Sequence, residues 1–210
     1  MLHVLNHAGA SREAEILRSM FHARKRVFVD LLKWDVPVLG DLYEVDQFDD
    51  AHATYVVLTD EDGEHMASAR LLPTTRTHIL DGLFPDLCEG DIPRGPQIRE
   101  ITRFCLDRRL VARQRRAVRN QLVTALAEIA LGQGITTYTG VADIGWCQQI
   151  LAMGWRCTPL GLPHLDGRKM IAALAIHIDD ETPKRLQDAG VYAMPTVVRD
   201  VSLPGDLSHA

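Results

Sequence analysis

The nine residues at 97–105, Gln-Ile-Arg-Glu-Ile-Thr-Arg-Phe-Cys, constrain the fold most. Apolar and polar residues alternate imperfectly, the pattern of a short strand. A half-exposed strand accommodates a charge or two on its wet face, and this one holds Arg99, Glu100 and Arg103 between a Pro/Gly loop at 93–96 and an arginine-rich segment. In a regular strand Glu100 and Thr102 share one face, with Ile101 and Arg103 on the other. Glu100 and Arg103 reach one pocket only if the strand bulges or splays near Ile101, as strands do beside active sites. Taken alone, the segment reads more plainly as an exposed strand with a solvated ion pair, because charges are usually exposed.

A chain of 210 residues can bury a sizeable core and is most simply one domain, 1–210, with a polar tail from about 201 expected to fray. Its composition, 46% hydrophobic and 24% charged, excludes disordered and fibrous classes. A formal net charge of −5 gives no overall attraction for nucleic acid, so any anionic partner must meet a local patch. Cys88, Cys105, Cys147 and Cys157 have no metal-ligand spacing. They read as reduced thiols of a cytoplasmic protein, and no metal site is expected. The first residues carry neither a basic stretch nor a long apolar run, and no eighteen-residue apolar run exists. A signal peptide and a membrane partner are therefore not expected.

Residues 1–6 suit a short edge strand, and helical spacing follows from Ser11, then again from Arg24 to about Trp34. Residues 35–50, with Pro37, Gly40 and five aspartates, read as a long loop, a class that is often functional. Strands at 53–59 and 65–72 flank the turn-forming Asp60-Glu61-Asp62-Gly63-Glu64 and predict an antiparallel hairpin. A short helix is expected around 79–84. A long one is expected within 107–133, with Val118, Leu122, Ala125, Leu126 and Ile129 as its buried stripe. A strand at 135–142, a helix around 145–153, short apolar pieces near 155–162, a buried strand at 169–178 and a last helix near Asp180 complete the order. This predicts an α/β domain with a mixed twisted sheet and helices on both faces, and disfavours a strictly alternating Rossmann pattern.

Three constellations could carry chemistry. Arg24 and Phe28, four residues apart on one helix, with Trp34 beyond, could be helix packing. They could equally bind a small ligand bearing a carboxylate and a cation. In the acidic stretch 44–50, Asp46 and Asp49 could be solvated, accept from a ligand ammonium, or pair with buried arginines such as Arg70 and Arg103. Arg108, Arg109, Arg113, Arg115, Arg116 and Arg119 crowd the start of the long helix, where the dipole disfavours cations. They are either a solvated basic face or a site for an anionic partner; no nucleic-acid motif accompanies them, so none is expected as a partner. The sequence has no GxSxG, Walker A, HExxH or GxGxxG.

In order and spacing, Arg24, Phe28, Trp34, Asp46, Asp49, Arg70, Phe84, Glu100 and Arg103 resemble the acyl-homoserine-lactone synthases, the LuxI-type autoinducer synthases of bacterial quorum sensing. The specific segments are Asp-Gln-Phe-Asp-Asp at 46–50, Arg-Leu-Leu-Pro-Thr at 70–74 and Glu-Ile-Thr-Arg-Phe at 100–104. They lie in the first half of the chain; the second half matches more loosely.

The resemblance implies a fold similar to GCN5-related N-acetyltransferases. It also implies S-adenosylmethionine as a substrate rather than a cofactor, with no cofactor needed, and an acyl thioester of acyl carrier protein or coenzyme A as donor. It assigns Glu100, Asp46 and Arg103 to catalysis. Arg24, Phe28, Trp34, Asp46, Phe84 and Arg103 would bind S-adenosylmethionine, and Asp49 with Arg70 would form a structural ion pair. Gly140 and Trp146 would line the acyl pocket, and Arg108, Arg109, Arg113 and Arg116 would dock the carrier.

Gly140 stands where relatives accepting 3-oxo chains carry Thr or Ser, which favours an unsubstituted or unusual acyl group. The segment 158–163, Thr-Pro-Leu-Gly-Leu-Pro, resembles the subgroup using branched or aryl groups and coenzyme A. The alternatives are a generic acetyl-coenzyme-A N-acetyltransferase and a non-catalytic carrier-protein or RNA-binding module. Against the former, Gln114-Arg115-Arg116-Ala117-Val118 lacks the glycines of the pyrophosphate loop.

Overall fold

The computed structural model describes residues 1–6, 11–167, 169–194 and 198–199; the tail from 201 lies outside the described residues. Strand β1 (Leu2–Leu5) precedes helix α1 (Ser11–Arg24), which runs on into a π-helical segment, Lys25–Leu31. The sequence suggested two helices here, and the structure joins them. Strands β2 (Val38–Leu39) and β3 (Tyr43–Glu44) form a small ribbon inside the expected long loop. Then come β4 (Thr54–Thr59), β5 (His65–Pro73), α2 (Ile79–Leu83), β6 (Ile98–Leu106) and α3 (Ala112–Gln133). The chain continues with β7 (Thr137–Asp143), α4 (Ile144–Leu151), β8 (Arg156–Pro159), β9 (His164–Asp166), β10 (Lys169–His177), α5 (Thr182–Asp188) and β11 (Val198–Arg199).

The main sheet runs β11-β1-β4-β5-β6-β7-β10-β8, with β9 also paired to β10. Strand β1, expected at an edge, is flanked by the two residues of β11 in parallel. Parallel pairing recurs between β6 and β7, while the β4–β5 hairpin is antiparallel as its turn predicted. Asp60 closes that turn, its Oδ1 accepting from the amides of Asp62 and Glu64.

Period-two alternation sorts the strands' side chains into two cores. Tyr55 and Val57 face α1 with Leu5, Met20, Phe48 and Leu72, while Val56 and Leu58 face α3 with Leu122, Leu126 and Tyr138. The predicted stripe of α3 is buried at Val118, Leu122, Ala125 and Leu126, with Ile129 half-buried against the same core. The helix starts at Ala112, so Arg108 and Arg109 precede it, and Gly134 ends it in the left-handed conformation at φ +66°. No helix among the described residues is long and apolar enough to cross a membrane.

Two irregularities shape the centre of the sheet. Between β5 and β6 the register passes from Arg70↔Thr102 to Ser68↔Cys105, so β6 holds one extra residue there. Arg103, at φ +51°, occupies that bulge. The β6–β7 ladder covers only Ile98↔Thr137, Arg99↔Tyr138 and Glu100↔Thr139. Beyond it the strands part into a fork, β6 staying with β5 and β7 with β10. A Cβ on Gly140 would lie 3.3 Å from the Ile101 carbonyl oxygen, so a residue without a side chain suits the crotch.

Leu122 is fully buried and away from the fork. Leu122→Ala is expected to lower unfolding free energy by about 2–5 kcal/mol in urea denaturation, from lost burial and the cavity left behind.

Candidate active site

A cavity of about 360 Å³ occupies the fork. One end is the cluster of Phe28 and Trp34 with Thr102 and Arg103, and the other is the core packed on α3, at Val123, Leu126, Met153, Trp155 and Leu174; Phe104, Trp146, Thr139 and Gly140 also line it.

The aromatic end is made by the π-helical segment. Its wider turn bonds the Leu32 amide to the Val27 carbonyl, and Lys33 then takes a left-handed conformation (φ +58°) that reverses the chain. Trp34 thereby stacks on Phe28 at 4.7 Å between centroids. The Arg103 guanidinium lies 5.7 Å and 5.8 Å from these two rings, and Lys169 Nζ lies 5.6 Å from Trp34. Arg26, in the same segment, bonds Asp107 at 2.8 Å and ties the segment to the end of β6.

Behind the aromatics lies a closed ring of six charges. Arg24 donates to Glu44 (2.5 Å) and to both oxygens of Asp49 (2.8 and 2.9 Å). Arg70 pairs with Asp49 (2.8 Å) and with both oxygens of Asp46 (2.6 and 3.0 Å). Arg103 joins Asp46 (2.6 Å) to Glu44 (3.0 Å) and completes the circuit. Three arginines meet three carboxylates, so no buried charge is left uncompensated. Burial alone would raise the Asp49 carboxyl pKa, but the Arg24 and Arg70 guanidinia outweigh it and hold the group well below the carboxylate range. Thr102 and Tyr55 add bonds at the margins, the first accepting from Arg70 and the second donating to Asp49.

This geometry reassigns several residues. Arg24 was expected to clamp a ligand carboxylate. It is 1% exposed and all three of its donor nitrogens serve Glu44 and Asp49, because a guanidinium buried this deeply needs that compensation. Asp46 is engaged by Arg70, Arg103 and the Phe48 amide, and so stands behind Arg103 instead of facing the cavity. Asp49 and Arg70 do pair, as expected. Phe84 lies at the seam of two apolar clusters, off the cavity wall. Gly140 and Trp146 line the cavity, Trp146 held against Phe104 at 5.0 Å and by the Asp143 cap of α4. Arg108, Arg109, Arg113 and Arg116 are exposed, with Arg109 spanning Asp107 and Glu64, whereas Arg115 reaches the cavity wall.

Glu100 and Arg103 do come to the same face, by the Arg103 bulge rather than a distortion at Ile101. Glu100 is fully buried, its oxygens accepting from the Ile79 and Leu80 amides at 2.7 and 2.8 Å. Burial pushes its carboxyl up from 4.5 to about 7 against the opposing pull of those amides and Arg70. Cys105 is buried and its thiol is pushed up to about 12, so it is no nucleophile. Sequence reasoning did not assign Glu44, Thr102, Arg115 or Thr139 to the site. For Glu44 a signal existed: three arginines and two aspartates leave one positive charge unmatched beside an unassigned glutamate.

The Autoinducer synthase family profile matches residues 8–186. An isovaleryl-homoserine lactone synthase of Bradyrhizobium diazoefficiens is 30% identical over 202 residues, 95% of this chain and 89% of that one. The solved structure of BjaI, a CoA-dependent acyl-homoserine lactone synthase, with SAM and isopentyl-CoA superposes with a TM-score of 0.80 at 29% identity, covering 95% of this chain and 92% of that one. An acyl-CoA N-acyltransferase from Pseudomonas aeruginosa shares the fold alone, with a TM-score of 0.57 at 14% identity over 83% of this chain and 98% of that one.

Two stability measurements check the charge assignments. Arg24→Ala leaves Glu44 to Arg103 and Asp49 to Arg70, two cations for three buried carboxylates, and urea denaturation is expected to register a loss of about 3–5 kcal/mol. For Glu100, the folded state keeps its proton to about 7 while the unfolded chain releases it near 4.5. The unfolded state thus binds fewer protons in that window, and stability falls as pH rises through it. Glu100→Gln is expected to remove that fall, seen as a flatter melting temperature against pH between the two values.

Proposed function

The chain belongs to the autoinducer synthase family, and from that membership we propose that it makes an N-acyl-homoserine lactone from S-adenosylmethionine and an acyl thioester, releasing methylthioadenosine. The observation that carries the reading is a single cavity with two unlike ends meeting at a strand fork. An end built of stacked aromatics and a guanidinium suits a ligand that is at once a carboxylate and a sulfonium. An end built of Val, Leu, Met and Trp suits an acyl chain.

An α-ammonium with a pKa near ~8 must lose a proton before it can attack a thioester. Glu100, with its carboxyl raised to about 7, is matched to that task. Because it does not line the cavity, it acts through one water. The freed amine attacks the thioester carbonyl, a C–N bond forms and the thiolate departs. Where β6 leaves β7, its backbone loses its ladder partner, so amides in the 101–104 stretch are candidate donors to the developing oxyanion. The carboxylate of the same ligand then attacks its γ-carbon and expels methylthioadenosine, a step needing mainly fixed geometry.

Arg103 is the carboxylate partner in this scheme, since its bonds to Glu44 and Asp46 use Nε and Nη2. Asp46 and Glu44 hold it in place. Phe28 and Trp34 flank the ligand's cationic end. The relatives' names support a coenzyme A donor carrying a short branched acyl group. Exposed Arg108, Arg109, Arg113 and Arg116 would meet coenzyme A phosphates or, equally, an acidic carrier protein. S-adenosylmethionine enters as substrate, and no cofactor is assigned. The enzyme would act in the cytoplasm, where both substrates are made.

The test is mass spectrometry of purified enzyme incubated with S-adenosylmethionine and isovaleryl-, hexanoyl- or acetyl-coenzyme A. An acyl-homoserine lactone and stoichiometric methylthioadenosine are expected, with acetyl-coenzyme A poorest. Acetylation of generic amines without lactone would overturn the reading. Glu100→Gln is expected to lower kcat by about 10²–10⁴-fold with little change in S-adenosylmethionine affinity.

A further inference from the structure

Thr139 on β7 is the register partner of Glu100 on β6, and theirs is the last pair before the strands part. Both residues are wholly buried. Tyr138, one residue earlier, turns toward α3, where its hydroxyl donates to the Leu126 carbonyl at 3.0 Å. Thr139 therefore faces the other side of the sheet, the side of Glu100 and α2. Of the two neighbours, Thr139 lines the cavity and Glu100 does not.

The Thr139 hydroxyl has no hydrogen-bond partner in the protein. Leaving a buried hydroxyl unsatisfied is destabilising, whereas valine would fill the same volume without that cost. Thr139 is a lining residue of the cavity and sits one strand from a carboxylate that still has two lone-pair sites unused by the Ile79 and Leu80 amides. A water at this point would have the two or more polar partners that a buried water needs.

We propose that the Thr139 hydroxyl holds the water through which Glu100 takes the proton of the attacking amine. The inference rests on the synthase reading above. The ammonium gives a proton to that water as the water gives one of its own to a Glu100 oxygen. The amine keeps its lone pair for the thioester carbonyl, and the water is regenerated. Thr139 is thus a positioning residue acting through Glu100. The groups around that carboxylate are Arg70 from β5, the Ile79 and Leu80 amides of α2 with His78 and Asp81 beside them, and Thr139 from β7.

The experiment compares wild-type, Thr139→Val and Thr139→Ser enzymes for lactone formation from S-adenosylmethionine and the best acyl-coenzyme A found above. Thr139→Val is expected to lose about 10–100-fold in kcat with the KM for S-adenosylmethionine within twofold, and Thr139→Ser to recover most of it. The wild-type kcat should level off above an acid limb near 7, whereas that of Thr139→Val should keep rising with pH as solvent replaces Glu100 as proton acceptor. A Thr139→Val enzyme with wild-type kcat and pH profile, or a serine variant as slow as the valine one, overturns the proposal. Should Thr139→Val not fold, Thr139→Ser against Thr139→Ala makes the same comparison. An inactive wild-type enzyme refutes the synthase reading itself, whereas an active wild type matched by the valine variant refutes only the relay.

Discussion

The site depends on the closed circuit Glu44–Arg24–Asp49–Arg70–Asp46–Arg103. Its members come from the end of α1, the ribbon and loop at 44–49, β5 and the bulge of β6. Buried charges are tolerated only when compensated, so each member's position is dictated by the other five. The long loop is ordered because its carboxylates have nowhere else to go. The left-handed backbone at Arg103 is held because both Glu44 and Asp46 grip its guanidinium. With that guanidinium fixed, a cation stands over Phe28 and Trp34 at the polar end of the cavity.

The fork works on the opposite principle. Where β6 and β7 separate, the sheet gives up backbone hydrogen bonds and gains a cavity walled by these strands together with α3, α4 and the π-helical segment. Such walls suit a reaction whose two bond-forming steps depend on placement more than on strong acid–base chemistry. Glu100, the proton acceptor proposed above, sits at the last rung of the ladder. Burial there lifts its carboxyl toward neutrality, and the two α2 amides keep it from rising further.

Much of this was legible in the chain. The alternation at 53–59 and 65–72, the stripe of α3 and the turn at 60–64 gave elements close to those observed, because each is decided by local periodicity and turn chemistry. The sequence showed that Glu100 and Arg103 could share a pocket only if their strand bulged, a condition placed near Ile101 and met at Arg103. Other features were not legible. The π-helical segment has ordinary helical residues and is selected by the packing of Phe28 and Trp34 under the loop. Arg24 and Phe84 read as ligand contacts because a motif records residue types and order, not which side of a cavity wall each side chain occupies.

By itself, then, the sequence determined the family, the mixed sheet with helices on both faces, and most of the charged and aromatic residues that the fold gathers at the ring and the fork. These follow from spacing, composition and motif, all properties along the chain. Only the tertiary structure decided which charges neutralise one another and which remain for a ligand. Pairing among Arg24, Glu44, Asp49 and Arg103 joins residues 20 to 59 positions apart, and its energy depends on burial that no local window contains. The tertiary structure likewise left Thr139, an unremarked threonine in the sequence, as the unpartnered hydroxyl at the fork. Whether a hydroxyl has a partner depends on what the fold brings within about 3 Å of it.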